Sequence, residues 1–268
     1  MEPNTHVCGP AQGQPHTHTI IFLHGRDSDA HEFADELFES EGSTDSAAPE
    51  QDRTLPGLLP TVRWVFPAAP LMQSQRFNSA MSQWFDMWAV EDPEVKSELQ
   101  RNGLHRSIHA VLAIVEAETK LVPKNRIFLC GISQGFATAL SLLLAEGQGG
   151  FAGLIGLCSW LPFSSEVEAK ISECTSEMPL FSSLQALYYS ENPLKTPLSS
   201  RLKATPILLG HTLDDAVVPL ENAQRMKNAL SLLEFKKVDW HVYEDGGHWI
   251  NEPQGVDDII AFIKENWE

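Results

Sequence analysis

Three segments of the chain carry side chains that could make and break an acyl bond. "RIFLCGISQGFATAL" sets Ser133 between Gly131 and Gly135, after a hydrophobic run and before a small-residue helical pattern. A serine in such a G-x-S-x-G stretch is a candidate nucleophile, because the flanking glycines let the chain turn sharply and let neighbouring backbones approach. "ILLGHTLDDAVVP" places Asp214 and Asp215 directly after an apolar run, and "VYEDGGHWINEP" places His248 in a glycine-rich stretch after another. Attack by a serine needs an imidazole to take the hydroxyl proton and a carboxylate to fix the imidazole tautomer and stabilise its charged form. Ser133, one of the two aspartates and His248 fill these roles in the order serine, acid, histidine. The pentapeptide alone is weak evidence, since Ser133 could equally be an ordinary helix N-cap. The three segments together, each at the end of a strand pattern, are far more specific.

Acyl transfer also needs two backbone N–H groups aimed at the developing oxyanion. Gln134, which follows the serine, offers one. "IIFLHGRDSDAHEF" offers the other at Arg26, after a strand pattern and His24-Gly25. His24 with Asp27, Asp29 and His31 raises the thought of zinc, but the spacing matches no metal motif and no metal site is expected. His241 falls inside the last strand pattern and reads as structural, and His16 and His18 as polar residues of the N-terminal stretch.

These residues need a scaffold, and the hydrophobic pattern describes one. "THTIIFLHG", "TVRWVFP", "RIFLCG", "FAGLIGLCS", "TPILLGH" and "KVDWHVYE" are short, nearly continuous apolar runs, as strands buried on both faces should be. Between them, Leu104, Ile108, Val111, Leu112 and Val115 share one face of a helix, and "LENAQRMKNALSLL" and "VDDIIAFIKENW" repeat the pattern. Strands alternating with helices predict a mostly parallel sheet with helices on both faces. Residues 1–268 are read as a single domain. Residues 40–57, acidic and rich in Pro, Gly and Ser, are expected to form a mobile loop. Residues 164–200, with Phe181, Leu184, Leu187, Tyr188 and Tyr189, are expected to form a cap-like insertion over a pocket.

Composition narrows the function classes. Asp plus Glu number 36 against 19 Lys plus Arg, for a net charge of −17, so most of the surface repels a polyanion and nucleic acid is not an expected partner. No apolar run reaches the roughly 18 residues a membrane span needs, and the polar N-terminal stretch does not read as a signal peptide. Cys8, Cys130, Cys158 and Cys174 show no C-x-x-C pair, which points to a reducing, cytoplasmic setting.

The blocks "IIFLHG", "WVFPAAP", "NSAMSQWFDMW", "RIFLCGISQGFATAL", "GLCSWLP", "HTLDDAVVP" and "DGGHW" occur in an order that resembles the acyl-protein thioesterase and carboxylesterase branch of the α/β-hydrolases, the phospholipase/carboxylesterase family. The resemblance implies the α/β-hydrolase fold and a triad of Ser133, Asp215 and His248. It also implies backbone oxyanion donors at Arg26 and Gln134. Three departures stand out. Arg26 replaces the apolar residue of the usual H-G-L-G-D, "HTLDDAVVP" replaces H-G-D-x-D-P-x-V-P, and the 164–200 segment is longer than its counterpart.

The expected activity is hydrolysis of carboxylic esters or thioesters of a small-molecule or acylated substrate through an acyl-enzyme, with no cofactor. An acyltransferase or a metabolite-releasing thioesterase would use the same intermediate. A non-catalytic receptor would be expected to lack a triad member. Arg26, Trp84, Phe85, Trp160, Leu161 and Trp249 are candidate pocket walls, although aromatic residues near motifs are often core. Arg26 could bind a substrate carboxylate, or could pair on the surface with Asp27, Asp29 or Glu32. The sequence sets neither the acyl chain nor the oligomeric state.

Overall fold

Apolar side chains that alternate along a strand must face opposite ways, and the two sets found here lie in two separate cores. The computed structural model describes residues 5–44, 52–174, 176–189 and 200–267. Its elements, in chain order, are β1 (Thr5–Cys8), β2 (His18–Leu23), α1 (Ala30–Glu39), α2 (Leu55–Leu58), β3 (Val62–Pro67), β4 (Leu71–Ser74), β5 (Ser79–Ser82), α3 (Glu98–Glu118) and β6 (Ile127–Ile132). There follow α4 (Gln134–Glu146), β7 (Gly153–Leu157), α5 (Ser164–Glu173), α6 (Glu177–Tyr188), α7 (Ser200–Ala204), β8 (Ile207–Thr212), α8 (Leu220–Leu232), β9 (Val238–Tyr243) and α9 (Gln254–Glu265).

Seven strands form one sheet in the order β1-β3-β2-β6-β7-β8-β9. All neighbours are parallel except β1, which runs antiparallel to β3. Ile21, Leu23, Ile127 and Leu129 point to one face, where they pack with α3, α4, α6 and α8. Ile20, Phe22, Phe128 and Cys130 point to the other, against Phe33 and Leu37 of α1 and Val256, Ile259 and Ile263 of α9. Full burial of β2, β6, β7 and β8 is what makes their sequences continuous apolar runs. Leu104, Ile108, Val111 and Val115 are buried on α3 as the spacing predicts, with Leu112 packed at the margin. This is the doubly covered parallel sheet expected from the sequence.

Three strands escaped the sequence reading. β1 is a short polar strand formed by pairing with the free edge of β3, and β4 and β5 form an antiparallel hairpin outside the main sheet. None has the apolar run of a central strand.

The two segments that break the α/β pattern are described only in part. Residues 45–51 of the 40–57 segment lie outside the described residues, but its N-terminal end is tied to the last helix and the turn before it. The N–H groups of Glu41 and Ser43 donate to Glu252 and Asp257 at 2.9 Å each. In the 164–200 segment, residues 190–199 also lie outside the described residues. The described part packs on helices rather than over the serine: α6 lies against α3, α4 and α5, with Phe181, Leu184, Leu187 and Tyr188 all buried. Tyr188 donates to the Pro162 carbonyl at 2.7 Å. Phe181, Leu184, Leu187 and Tyr188 extend the core, because α4 presents them with an apolar wall.

Candidate active site

Ser133 stands at the C-terminal end of β6, where the chain turns into α4. Its φ of 55° and ψ of −127° are a strained conformation for a residue with a Cβ, costing of order 1–3 kcal/mol. The neighbouring structure holds it there: Ser133 N–H donates to Leu157 O at 2.9 Å, and Ser133 O accepts from Ser159 Oγ at 2.7 Å. Ser133 holds the N-cap position of α4, but its side chain makes no cap hydrogen bond, which leaves the hydroxyl for the pocket. The glycines of the motif are required for contact. A Cβ on Gly135 would lie 2.5 Å from the His24 carbonyl oxygen and closer still to that of Leu23. Gly135→Ala should therefore destabilise the fold by about 2 kcal/mol or more and lower turnover, since it pushes the β2 exit loop away from the serine. Urea unfolding read alongside initial rates measures both, and a fully stable, fully active variant would contradict this packing.

The loop after β2 passes directly beside Ser133; a Cβ on Gly25 would be 3.7 Å from that of Ser133. His24, fully buried, shapes this loop. Its Nε2 accepts from Ala69 N–H at 3.0 Å, so Nδ1 carries the proton and donates to the Gly25 carbonyl at 2.6 Å. Burial depresses its basicity. Both ring nitrogens are thus engaged, while Asp29 caps α1 by accepting from the N–H groups of His31 and Glu32 and His31 pairs with Asp35. These hydrogen bonds occupy the donors that a zinc site would use. The Gln134 N–H belongs to the first turn of α4, whose donors have no intrahelical partner.

Asp215 and His248 meet across the ends of β8 and β9. Asp215 Oδ2 accepts from His248 Nδ1 at 2.8 Å, and Oδ1 accepts from the N–H groups of Val217 and Val218 at 2.8 and 2.9 Å. Burial of this carboxyl raises its pKa, yet the His248 hydrogen bond and the two amides outweigh that and hold it below the usual carboxylate range. Asp214 points elsewhere: its Oδ1 accepts from Gly247 N–H at 2.8 Å, pinning the loop that carries His248.

His211, buried in β8, is a residue the sequence reading missed. Its Nε2 donates to Val218 O at 2.9 Å and lies 3.5 Å from Asp215 Oδ2, so it buttresses the turn that presents the acid. Its signal was its place in "GHTLDD", two residues before the acid turn. His241 pairs with Asp258 at 3.0 Å on the edge strand, away from this cluster.

Ser133 and His248 line one pocket of about 360 Å³ with Gly25, Arg26, Ser28, Phe33, Glu36, Val90, Ile132, Val217 and Trp249. Of the six proposed wall residues, Arg26 and Trp249 are in place. Trp84, Phe85, Trp160 and Leu161 are not; all four are buried in the core. Trp84 and Phe85 act from behind the site. Gln134 accepts from Trp84 N–H and donates to Phe85 O, both at 2.8 Å, and the Trp84 indole donates to His24 O at 2.8 Å. One dipeptide thereby ties the β2 loop to the serine turn. Phe33, Val90 and Val217 supply much of the wall instead, and their places on α1 and on loops gave the sequence no cue.

Cys158, Asp215 and His248 have ligand atoms within 4.8 Å of one another, but the acid and imidazole are bonded to each other. Burial and the Asp215 charge push the Cys158 thiol up and keep it protonated, which makes this trio a poor metal ligand set. Cys130 is buried on β6 and its thiol is likewise raised by burial, so it is inert.

A serine turn, the Gly25–Arg26 loop and an Asp–His pair around one pocket suit an acyl-bond hydrolase, and comparison with known proteins decides the lineage. The sequence model of the phospholipase/carboxylesterase family matches residues 7–193 and 183–267. The chain belongs to the phospholipase/carboxylesterase family. With that membership goes the coarse chemistry of a hydrolase acting on ester bonds. Similar proteins include acyl-protein thioesterase 1 of Yarrowia lipolytica, 26% identical with 99% of each chain covered. Carboxylesterase SOBER1 of Arabidopsis thaliana is 30% identical over 73% of this chain and 74% of that one. In structure, the chain is similar to Zea mays acyl-protein thioesterase 2, with a TM-score of 0.71, 23% identity and coverage of 99% and 100%. That likeness supports the α/β-hydrolase fold. Among the described residues no helix of this family member is long and apolar enough to cross a membrane.

Proposed function

We propose that the protein hydrolyses carboxylic esters or thioesters through an acyl-enzyme on Ser133. The observation that carries the reading is the His248 Nδ1 bond to a doubly amide-anchored Asp215, with His248 and Ser133 on one pocket wall. In the proposed cycle His248 Nε2 takes the Ser133 proton as Oγ bonds to the acyl carbon. The carbonyl oxygen becomes an oxyanion between the N–H groups of Arg26 and Gln134, and collapse expels the alcohol or thiol with the proton returned from His248. Water, deprotonated by the same imidazole, then attacks the acyl-enzyme and releases the acid, restoring Ser133. Asp215 remains ionised throughout and holds the imidazole in the useful tautomer.

The names of the thioesterase and carboxylesterase relatives support acylated substrates, and the apolar wall of Phe33, Val90, Ile132 and Val217 suits an acyl chain. A cytoplasmic setting belongs to the same proposal and rests on the cysteine usage of the sequence. Rapid mixing with an activated ester should give a burst of leaving group close to one equivalent per enzyme, and mass spectrometry of the quenched protein should place the acyl group on the peptide containing Ser133. Steady turnover of esters and thioesters with no adduct on Ser133, even under quenching fast enough to trap one, would count against the acyl-enzyme.

A further inference from the structure

Arg26 places a cation on the pocket wall. Arg26 makes no hydrogen bond or ion pair with any described residue, and its Nη1 is buried and unpartnered. The surface pairing open to it in the sequence is not formed, and its acidic neighbours are engaged elsewhere. Asp29 caps α1, Asp86 accepts from Gln75 N–H, and Glu91 pairs with Arg76 at 3.1 Å. Asp27 acts on the guanidinium through its charge, but neither it nor Glu36, which lies on the same pocket, forms an ion pair with it. The side chain is nevertheless held in one direction, with Cζ 5.4 Å from the centroid of the Phe77 ring. Arg76 stacks on the same ring at 5.5 Å, so a second positive charge stands beside the first. Burial and Arg76 disfavour the Arg26 cation and outweigh the opposing charges of Asp27, Asp86 and Glu91.

A buried donor without a partner costs free energy that a bound acceptor would recover, and a guanidinium fork matches a carboxylate bidentately. We propose that Arg26 is a specificity-determining residue that binds a carboxylate of the substrate, carried on its acyl part or its leaving group. The inference rests on the hydrolase reading above. It makes the substrate class a carboxylate-bearing ester or thioester, a marked choice in a protein whose net charge of −17 otherwise repels anions.

Three thioesters separate the cases: succinyl and butyryl thioesters of N-acetylcysteamine, which share a thiol and differ in a terminal carboxylate, and the butyryl thioester of thioglycolate, whose leaving group is anionic. The wild-type enzyme should show kcat/KM on one of the two anionic substrates about tenfold or more above that on the neutral butyryl thioester. Arg26→Leu keeps the backbone N–H and should cut that ratio by about 10- to 100-fold, mainly through KM, with Arg26→Lys falling between. The succinyl arm identifies an acyl-side carboxylate and the thioglycolate arm a leaving-group one. Free succinate should inhibit the wild type more strongly than succinamide, which tests the idea even if a variant fails to fold. A wild-type ratio near unity, or an Arg26→Leu ratio equal to that of the wild type, overturns the inference. Turnover of the neutral thioester without anion preference sinks this inference alone, whereas no turnover of any of the three together with no burst from the activated ester sinks the hydrolase reading with it.

Discussion

Ser133→Ala should leave a folded protein whose ester and thioester hydrolysis is lower by about 10^4- to 10^6-fold. The size follows from the cooperation of nucleophile, base and acid, which act as a unit, so removing the hydroxyl discards what His248 and Asp215 contribute as well. Folding should survive because the Ser133 side chain makes no cap bond to α4, and the bonds that hold the turn use its backbone N–H and carbonyl. Alanine also keeps the strained φ within reach, since it is no bulkier than serine. Circular dichroism with a thermal melt establishes the fold, and initial rates give the loss. A folded variant that retains more than about a tenth of the activity means the chemistry uses another nucleophile.

Asp215→Asn should cut turnover by about 10^4-fold with little change in substrate binding. Asparagine can still accept from the Val217 and Val218 N–H groups, but its amide then presents a donor to His248 Nδ1. The imidazole must accept there, which moves its proton to Nε2, the nitrogen that must take the serine proton. Asp214→Asn provides the contrast: its amide oxygen can still accept from Gly247 N–H, so the loss should stay within about tenfold. The reverse ranking would exchange the roles of the two aspartates.

The same substitution has a signature in stability against pH. The Asp215 carboxyl is held below its ordinary pKa in the folded state, so its contribution is fully present above the unfolded value of about 4 and is lost as pH falls through the folded value. Melting temperatures of Asp215→Asn should therefore fall less steeply than those of the wild type over that acid range. Parallel acid limbs would mean that the carboxylate is not stabilised in the fold.

Chemistry of a local kind was legible in the sequence. A nucleophile turn needs glycines within two residues of the serine. A strand buried on both faces must be apolar along its length, and a helix shows its core face every three or four residues. Each of these constraints acts within about a dozen residues, so "RIFLCGISQG", the six long strands, the α3 face and the order serine, acid, histidine could be read directly, with Asp214 and Asp215 both open as the acid until the family resemblance pointed to Asp215. Tertiary structure decided what depends on distant residues meeting. That Trp84 and Phe85 brace Gln134 and His24 instead of lining the pocket, that His211 supports the acid turn, and that α6 adds to the core instead of covering the serine are outcomes of packing between segments far apart in the chain. The same holds for Arg26. Its sequence neighbours Asp27 and Asp29 offered obvious ion pairs, but the direction of its side chain was set by Phe77, some fifty residues away on the hairpin. An aromatic residue or an arginine has the same composition whether it faces a core, a pocket or water. Which surface it meets is settled only when the chain has closed around it.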